Sequence, residues 1–426
     1  MVTNQLNLLK EQRFLPLFFT QFLGAFNDNV YKNSLVILIT YNFADSLKLN
    51  SEILITIAAG VFIFPFFLFS ATAGQLADKF EKTKLIRYTK IAEIFLMLLA
   101  AIGLYFQSIL LLMTVLFLVG TQAAFFGPLK YSILPDQLQS NELLAGNALI
   151  EAGTFLAILL GTILGGILAS LQAAPLLISF AIVLAAAVGY AASRFIPPAK
   201  IAAPHIKIRW NIFIETKEII FRTMKHRELA LAILGISWFW LVGATYLSQF
   251  PTYAKVILGA GPTVVTLFLT CFSFGIGAGS LFCNRLLKGK IRATYVPIAA
   301  IGMVIFGTDL VLASEYVSPA SKHLLTLAEF LNHLQSWRLL LDLFLLAACG
   351  GIYAVPLYAI LQYKSEAEYR SRVIACNNIM NALFMVLAAS LTSVMLALHF
   401  SVTHVFILIA LANAVAAFFL RRLSVG

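Results

Sequence analysis

The chain has 426 residues, of which 61% are hydrophobic and only 12% are charged. Soluble domains contain roughly 45–50% apolar residues, and no soluble fold has enough interior to bury the larger apolar surface of this chain. The composition therefore excludes the water-soluble fold classes. The net charge of +11 does not indicate a nucleic-acid partner, because the basic residues recur at separated hydrophilic breaks instead of forming one patch.

Apolar stretches long enough to cross a bilayer recur along the chain. They predict an all-α membrane protein with twelve transmembrane helices, at residues 13–40, 52–77, 84–105, 108–134, 142–170, 173–195, 229–257, 262–285, 293–314, 336–362, 370–397 and 400–421. Of the 30 Lys and Arg residues, 24 fall near the termini and at alternate breaks. This positive-inside distribution predicts that both termini are cytoplasmic. The N-terminus lacks a small-residue cleavage site after a short apolar core, so we expect no cleaved signal peptide.

The longest basic break divides these spans six and six. It predicts an N-terminal six-helix bundle at residues 1–195, a cytoplasmic linker at 196–228 and a C-terminal six-helix bundle at 229–426. Pro197 and Pro198 end the sixth helix. In the linker, Phe213 and Ile219 are among the apolar residues that alternate with basic ones such as Lys217. This pattern fits an amphipathic helix on the cytoplasmic leaflet, and it also fits a solvated linker.

The two halves carry similar motifs in the same order. A proline precedes an asparagine by 19 residues in the first half and by 21 in the second. Matching these motifs pairs Pro128 with Pro356, Lys130 with Tyr358, Asn147 with Asn377 and Glu151 with Asn381. We therefore predict an internal duplication, which is the usual architecture of secondary transporters.

Charged side chains inside the apolar segments are expected to have a partner, water or a function, because each costs roughly 2.5–3.5 kcal/mol at a helix centre. Asp28, Lys130 and Glu151 are the main examples. Lys130 and Glu151 lie at similar depth, so they could form a structural ion pair. Alternatively, all three line a polar cavity, and we favour this interpretation because asparagines lie nearby. The candidate substrate-binding residues are Asn27, Asp28, Asn29, Lys130, Asn147, Glu151, Tyr246, Tyr358, Asn377 and Asn381.

Three other carboxylates receive different predictions. We expect Glu93 to serve the gate beneath it or to face the cytoplasmic interface beside Lys90. Asp309 and Asp342 fall towards the periplasmic ends of the ninth and tenth spans, where we expect solvated side chains. The four cysteines have no CxxC spacing, so we expect neither a disulfide framework nor a metal site.

The loop after the second span reads Gly74-Gln-Leu-Ala-Asp78-Lys79-Phe-Glu81-Lys82-Thr-Lys84. It resembles the signature loop of the major facilitator superfamily, although any basic loop after a membrane helix would look partly similar. The family's second glycine is replaced by Glu81, and the corresponding loop after the eighth span has Asn284 in place of the aspartate. The resemblance implies a major facilitator fold with two six-helix bundles. The candidate gating residues are Gly74, Asp78, Lys79, Lys82 and Lys84.

Three motifs narrow the resemblance. They are Phe26-Asn-Asp28-Asn29, Gly127-Pro-Leu-Lys130-Tyr-Ser-Ile-Leu134 and Gly146-Asn-Ala-Leu-Ile-Glu151. Together they resemble the lysophospholipid transporter family (LplT), especially the transporter domain that is sometimes fused to acyltransferase and acyl-carrier-protein synthetase domains. One departure is that the family's arginine in the seventh helix is missing from the segment Gly243–Gln249 of this sequence.

This resemblance implies a secondary transporter that flips lysophospholipids, chiefly lysophosphatidylethanolamine, across the bacterial inner membrane by alternating access for reacylation. The implied partners are the lysophospholipid, membrane lipids and, functionally, a lysophospholipid acyltransferase. We expect a monomer without a cofactor. The two halves differ in charge, because the first half has Lys130 and Glu151 where the second has Tyr358 and Asn381. This asymmetry agrees with an amphiphilic substrate, which needs a polar wall for its headgroup and an apolar wall for its acyl chain.

Two other function classes compete with this interpretation. The first is a proton-coupled facilitator for a drug, siderophore or metabolite, with Asp28 or Glu151 as the proton site. The second is a membrane enzyme of lipid remodelling. None of the six histidines belongs to the His-x-x-x-x-Asp motif of the linked acyltransferases, and the sequence has no clear nucleophile–base pair. We therefore predict a transporter and not an enzyme.

Overall fold

The computed structural model of the protein describes residues 5–40, 51–314 and 323–423. These residues include twelve helices of 19 or more residues, one overlapping each predicted span. They are α1 (Leu15–Leu38), α2 (Ser51–Lys79), α3 (Lys82–Tyr105), α4 (Ile109–Ser132), α5 (Leu143–Ala169), α6 (Ala174–Ser193), α7 (Arg227–Thr252), α8 (Pro262–Leu287), α9 (Val296–Ser314), α10 (Leu334–Lys364), α11 (Arg370–Ala397) and α12 (Val402–Leu420).

Ten of the twelve helices are long and apolar enough to cross a bilayer. The other two are α1 and α3, which contain more polar residues. In α1, Asp28 and Lys32 interrupt the apolar sequence, and in α3, Lys90 and Glu93 do so. The prediction that all twelve helices cross the membrane stays a prediction.

Local signals account for several helix ends. Ser108 caps α4, because its hydroxyl accepts a hydrogen bond from the Leu111 amide. Ser401 and His404 form a reciprocal capping box at the start of α12. Pro175 and Pro262 lie in the first turns of α6 and α8, where a missing N–H breaks no helical hydrogen bond.

The pairing of helices repeats six helices later. In the first half, α1 packs on α5, α2 on α4, and α3 on α6. In the second half, α7 packs on α11, α8 on α10, and α9 on α12. Two pairs join the halves, α5 with α8 and α11 with α2, and they are also related by this shift. The packing therefore has the two-fold repetition that the paired motifs predict.

The segment between α6 and α7 contains one helix, Ile212–Met224, which we call the linker helix. It begins where the Asn211 side chain accepts a hydrogen bond from the Ile214 amide. It packs against α2 and α11. The sequence pattern left a helix and an unstructured linker open, and the structure has the helix, but its position on a leaflet stays a prediction.

The halves are held together at the end of the bundle that carries the α2–α3, α4–α5 and α10–α11 connections. We call this the basic end. Lys82, at the start of α3, pairs with Asp136 at 2.7 Å, and Arg370, at the start of α11, approaches Asp136 at 3.8 Å. The amide side chains of Asn147 and Gln362 exchange two hydrogen bonds of 2.7 and 2.9 Å across the halves. The bundle is therefore closed at its basic end.

Candidate functional site

A cavity of about 280 Å³ lies between the two halves. Its first-half wall is formed by α1 to α5, and its second-half wall by α7, α10 and α11. Five predicted binding residues line it: Asp28, Asn29, Lys130, Tyr358 and Asn381. The volume lies at the low end of ligand pockets, which span roughly 300–1,000 Å³. It has room for a small polar group and too little room for a long-chain amphiphile.

The charges of the cavity wall are all on the first half. Asp28, Lys32, Lys90 and Lys130 lie along the cavity on α1, α3 and α4. The second half contributes only uncharged side chains, namely Trp240, Tyr358, Asn378, Asn381 and Met385. The wall is thus ionic on one side and neutral on the other, although the asparagines make the neutral side more polar than an apolar wall.

Asp28 and Lys32 lie one helical turn apart on α1 and both face the cavity. The Lys32 ammonium lies 4.3 Å from the centre of the Phe62 ring on α2, a favourable cation–π distance. Lys32 is not among the substrate-binding residues that the sequence predicted. Its spacing of four residues from Asp28 was the signal that could have identified it.

A buried ionic network lies behind this wall. The Lys90 ammonium donates to Glu93 at 2.7 Å, and both side chains are at most 2% exposed. Asn27 and Gln122 also donate to the Glu93 carboxylate, at 2.9 and 3.3 Å. Glu93 therefore forms a buried ion pair with Lys90 on its own helix, and its side chain does not face solvent. Lys90 and Glu93 are three residues apart, which is the spacing of a helical ion pair.

Glu151 lies at the contact between the halves and not among the cavity-lining residues. It accepts a hydrogen bond from the Tyr131 hydroxyl at 2.5 Å. The Tyr131 ring stacks on Tyr358 of the second half, with centroids 4.5 Å apart and planes 9° apart. Trp240 then donates to the Tyr358 hydroxyl at 2.9 Å. Two stacked tyrosines thus join a buried carboxylate of one half to an indole of the other.

Lys130 and Glu151 form no ion pair within 4 Å in the described part of the chain. The Lys130 ammonium lies 4.4 Å from the centre of the Tyr131 ring, and the Tyr131 hydroxyl bonds Glu151. The tyrosine therefore stands between the two charges. Of the two interpretations of Lys130 and Glu151, the direct ion pair is not the arrangement found here.

The other four predicted binding residues lie away from the cavity lining. Asn27 belongs to the Glu93 network, and Asn147 bonds Gln362 at the basic end. Asn377 is buried on α11. Tyr246 lies in an aromatic cluster of the second half, with its ring 4.5 Å from that of Phe406. Their proposed contact with a substrate stays a prediction that this conformation does not illustrate.

One glycine at the cavity leaves room for a side chain of the other half. A β-carbon added to Gly127 on α4 would lie 2.2 Å from the Asn378 side-chain nitrogen on α11. No real β-carbon tolerates such a contact, so a larger residue would displace Asn378 from the cavity wall. Gly127 therefore leaves space for the Asn378 side chain in the cavity wall.

Of the five predicted gating residues, Gly74 and Asp78 contact the second half directly. A β-carbon at Gly74 would lie 2.8 Å from the Ala375 side chain and 3.0 Å from the Ser371 carbonyl oxygen. Asp78 accepts hydrogen bonds from the Ser371 amide and the Arg372 guanidinium, both at 2.9 Å. These bonds tie the end of α2 to the start of α11.

The remaining members of this loop bond within the first half. Lys82 pairs with Asp136, whereas Lys79 lies 5.9 Å over the Phe80 ring and Lys84 is exposed. Glu81, which replaces the family glycine, caps α3 by accepting bonds from the Thr83 and Lys84 amides. Its carboxylate also accepts from the Ala199 amide in the linker. The substitution therefore has a structural role in this chain.

The outer end of the second half corrects one prediction. Asp342 was expected to be solvated, but it is only 4% exposed because α10 packs against α8 and α9 at this level. Asp309 is partly exposed and forms an ion pair with Arg338. The apolar residues next to Asp342 in the sequence thus did not indicate that this face of α10 is buried.

The sequence of residues 17–327 matches the family model described as Major Facilitator Superfamily. The chain belongs to the Major Facilitator Superfamily. Members of this superfamily are membrane transporters, which confirms the prediction of a multi-pass membrane transporter and not an enzyme. The match also confirms the superfamily that the Gly74–Lys84 loop indicated.

Curated relatives within the superfamily are named Lysophospholipid transporter LplT. The protein of Escherichia fergusonii is 29% identical over 351 residues, which cover 81% of this chain and 79% of the relative. That of Escherichia coli O1:K1 / APEC is 28% identical over 352 residues with the same coverage. The resemblance that the helix 1, 4 and 5 motifs indicated is therefore confirmed.

Solved structures share the superfamily fold. A bacterial homologue of the iron transporter ferroportin, in its outward-facing state, has a TM-score of 0.71 at 12% identity, covering 95% of this chain and 99% of that chain. The Escherichia coli fucose:proton symporter has a TM-score of 0.67 at 14% identity, covering 98% and 100%. A human organic anion transporter has a TM-score of 0.72 at 13% identity, covering 95% and 99%. At these identities the likeness supports the fold alone.

Proposed function

We propose that this superfamily member moves lysophospholipids between the leaflets of the bacterial inner membrane by alternating access. The observation that carries the proposal is the division of the cavity into one charged wall and one neutral wall. A small ion is better bound by charged groups on all sides, whereas an amphiphile has one ionic end. The LplT relatives support the same substrate class.

The headgroup of a lysophosphatidylethanolamine has a phosphate and an ammonium group. Lys130 is the proposed partner of the phosphate, and Asp28 of the ammonium, because both charges face the cavity from the first half. Glu151, which lies behind Tyr131, is assigned a role at the contact between the halves in this conformation. The acyl chain extends from the small cavity along the neutral wall of the second half.

The proposed transport cycle rocks the bundle of residues 1–195 against that of residues 229–426. The repeated helix pairing supports such a rigid-body movement. All twelve helices cross the membrane in this proposal, and both termini lie in the cytoplasm, as the positive-inside distribution indicates. The closed basic end is then the closed cytoplasmic gate, with Gly74, Asp78 and Lys82 among its contacts.

The proposed direction of transport follows from the expected reacylation of the lysophospholipid in the cytoplasmic leaflet. The lysophospholipid enters from the periplasmic leaflet and leaves into the cytoplasmic leaflet, where an acyltransferase restores its second chain. The transporter works as a monomer and needs no cofactor for this movement. Lysophosphatidylethanolamine is the proposed preferred substrate.

The test is a flipping assay in liposomes that contain the purified protein. We expect fluorescent lysophosphatidylethanolamine to cross faster than two-chain phosphatidylethanolamine, because one acyl chain can leave the small cavity along the neutral wall more readily than two chains can. Liposomes with the Asp28→Asn variant are the matched control. Equal rates for the two lipids, or a rate for lysolipid no higher than in protein-free liposomes, would contradict the proposal.

A proton-coupled facilitator is the second candidate. Glu151 favours it, because this buried carboxylate has one oxygen without a hydrogen-bond partner among the described residues and lies where the halves meet. Transport of a water-soluble compound that falls at least tenfold on addition of a protonophore, together with no lysolipid flipping, would establish this candidate instead.

A further inference from the structure

The linker helix is amphipathic, and its apolar side faces away from the protein. Phe213, Ile214 and Phe221 are 79%, 58% and 64% exposed. Glu215 and Thr223 are buried against the bundle with Ile219. A helix in water would place its apolar side inwards. The outward side therefore needs an apolar environment that the described residues do not provide.

The charge around this side matches an anionic lipid surface. Residues 196–228 contain seven Lys and Arg residues and three Glu residues. Lys217 is exposed on the apolar side, and the Lys225 ammonium lies 4.2 Å over the Phe221 ring. Exposed aromatic and aliphatic groups flanked by basic residues are typical of helices that lie at an anionic membrane interface.

The segment before the linker helix is attached to the gate. The Ala203 amide donates to the Asp78 carbonyl oxygen at 2.8 Å. The Arg209 amide donates to the Gln75 side chain at 2.9 Å, and that side chain donates back to the Arg209 carbonyl oxygen at 3.2 Å. Gln75 and Asp78 are both on the last turns of α2. The segment before the linker helix is therefore hydrogen-bonded to α2, the first-half helix that carries the candidate gating residue Asp78.

The inner side of the linker helix also contacts the second half. The guanidinium groups of Arg222 and Arg372 each lie 4.0 Å from the centre of the Tyr369 ring. Arg372 in turn donates to the Asp78 carboxylate at 2.9 Å. We call Arg222, Tyr369 and Arg372 the tyrosine clamp. The clamp links the linker helix to the same aspartate that joins α2 and α11.

We infer that the linker helix docks its outward side on the anionic leaflet at the basic end and that the docked helix stabilises the closed gate. The helix contacts α2 of the first half and Tyr369 of the second. It can keep both contacts only while the halves are together at this end. Opening the gate must break the clamp or pull the helix from the lipid, so anionic lipid favours the closed state.

This inference rests on the proposed function only for the membrane orientation of the basic end, and not for the substrate. The experiments therefore contain no lysophospholipid, so a wrong substrate assignment cannot change their result. All reporter sites are placed in a variant whose four cysteines are replaced by alanine. This variant is used only if its melting temperature equals that of the original chain.

The first experiment tests docking. An environment-sensitive fluorophore is attached at Phe213→Cys, on the outward apolar side of the linker helix. The control is the same fluorophore at Glu218→Cys, at the edge of that side. The Glu218–Arg209 ion pair is exposed, so its loss has little effect on stability. We expect lipids with nitroxide-labelled acyl chains to quench position 213 and not position 218, with stronger quenching when phosphatidylglycerol is added to phosphatidylcholine. Lys217→Ala is expected to weaken this lipid dependence about fivefold.

The second experiment tests coupling to the gate. Spin labels at Ser140→Cys and Glu368→Cys, two exposed positions on opposite halves, report the distance across the basic end. Tyr369→Leu removes the ring that both guanidinium groups face and is expected to raise the open fraction about two- to fivefold. Tyr369→Phe keeps the ring and is expected to behave like the original chain. Removal of phosphatidylglycerol should shift the population in the same direction as Tyr369→Leu.

Two results overturn the inference. One is equal quenching at positions 213 and 218 in anionic vesicles. The other is an open fraction that changes neither with phosphatidylglycerol nor with Tyr369→Leu. Hydrogen exchange of the linker helix in the chain with its native cysteines provides a measurement without labels. Exchange of residues 212–224 that is independent of phosphatidylglycerol would likewise exclude docking.

Discussion

The two halves of this transporter share a helix-packing pattern but differ in the groups they bury. The first half encloses Lys90 and Glu93 as an ion pair and turns Asp28 and Lys130 towards the cavity. At the facing wall the second half has neutral groups, such as the Ser237–Asn381 pair, whose hydrogen bond is 2.9 Å long. Duplicated architecture therefore does not imply duplicated chemistry.

The difference has an energetic explanation. A charge inside a bilayer must be neutralised by a partner or by a ligand, and each further charge adds to the cost of folding. The ionic end of an amphiphile needs such groups only once. The second half can therefore bind the rest of the molecule, or contact the first half, with uncharged groups that are less costly to bury.

The largest effect is expected from breaking the buried pair. Glu93→Leu leaves the Lys90 ammonium buried without its counter-ion and should destabilise the protein by about 3–5 kcal/mol. The Lys90→Met/Glu93→Leu double variant should recover most of this loss. In the second half, Asn381→Leu leaves only the neutral Ser237 hydroxyl unpaired and should cost about 1–3 kcal/mol. The stabilities of the three variants are compared by thermal unfolding in detergent. Equal losses of stability for Glu93→Leu and Asn381→Leu would contradict the difference between the halves.

The next effect concerns the charges that face the cavity. Asp28→Asn removes the proposed partner of the substrate ammonium and should reduce lysolipid flipping by about 10- to 100-fold, the loss expected for a charge-assisted hydrogen bond. Asn381→Ala on the neutral wall should reduce it by less than about fivefold. The test compares the flipping rates of the two variants in liposomes with matched protein content. An Asn381→Ala variant as defective as Asp28→Asn would show that both walls hold the headgroup.

A smaller effect is expected at the gate, where the halves differ again. Asp78 bonds across to Ser371 and Arg372, whereas the side-chain oxygen of Asn284, the corresponding residue on the last turn of α8, is buried without a hydrogen-bond partner among the described residues. Asp78→Asn should raise the open fraction of the basic end about tenfold and leave substrate affinity unchanged. Asn284→Ala should change neither. A large affinity loss in Asp78→Asn would place this residue in the binding site.

The smallest effect concerns two ion pairs near the basic end. Arg13 holds the Glu142 carboxylate with two hydrogen bonds of 2.7 and 2.8 Å, whereas Lys364 contacts Glu228 once at 3.0 Å with both side chains about a third or more exposed. The Arg13 guanidinium lowers the pKa of Glu142 below its ordinary value. Its stabilising contribution is therefore present above that ordinary value and is lost as the pH falls through the lowered pKa.

Glu142→Gln should accordingly destabilise the protein by about 1 kcal/mol at neutral pH, and this deficit should disappear in acid. Glu228→Gln should have an effect close to zero at every pH. Melting temperatures from pH 7 down to pH 3 test both statements. A deficit in Glu142→Gln that persists unchanged at the lowest pH would show that the lost packing, and not the charge, causes it.

The sequence by itself determined the class of fold and the positions of the long helices. Apolar segments of membrane-spanning length overlap all twelve of them, for example residues 173–195 with α6 at Ala174–Ser193. Short-range features such as the Ser108 cap and the first-turn prolines account for several of the helix ends in the structure. These features depend only on neighbours along the chain. The family loop and the three motifs were also visible without coordinates.

Only the tertiary structure decided which charges meet. Residue number measures depth along a helix, so Lys130 and Glu151 could be placed at one level, but their partners depend on how each helix is rotated about its axis. That rotation directs Glu151 to Tyr131, Asn27 to Glu93 and Asn147 to Gln362. Helix rotation is set by the packing of whole faces against several neighbours, which the order of residues along one helix does not specify.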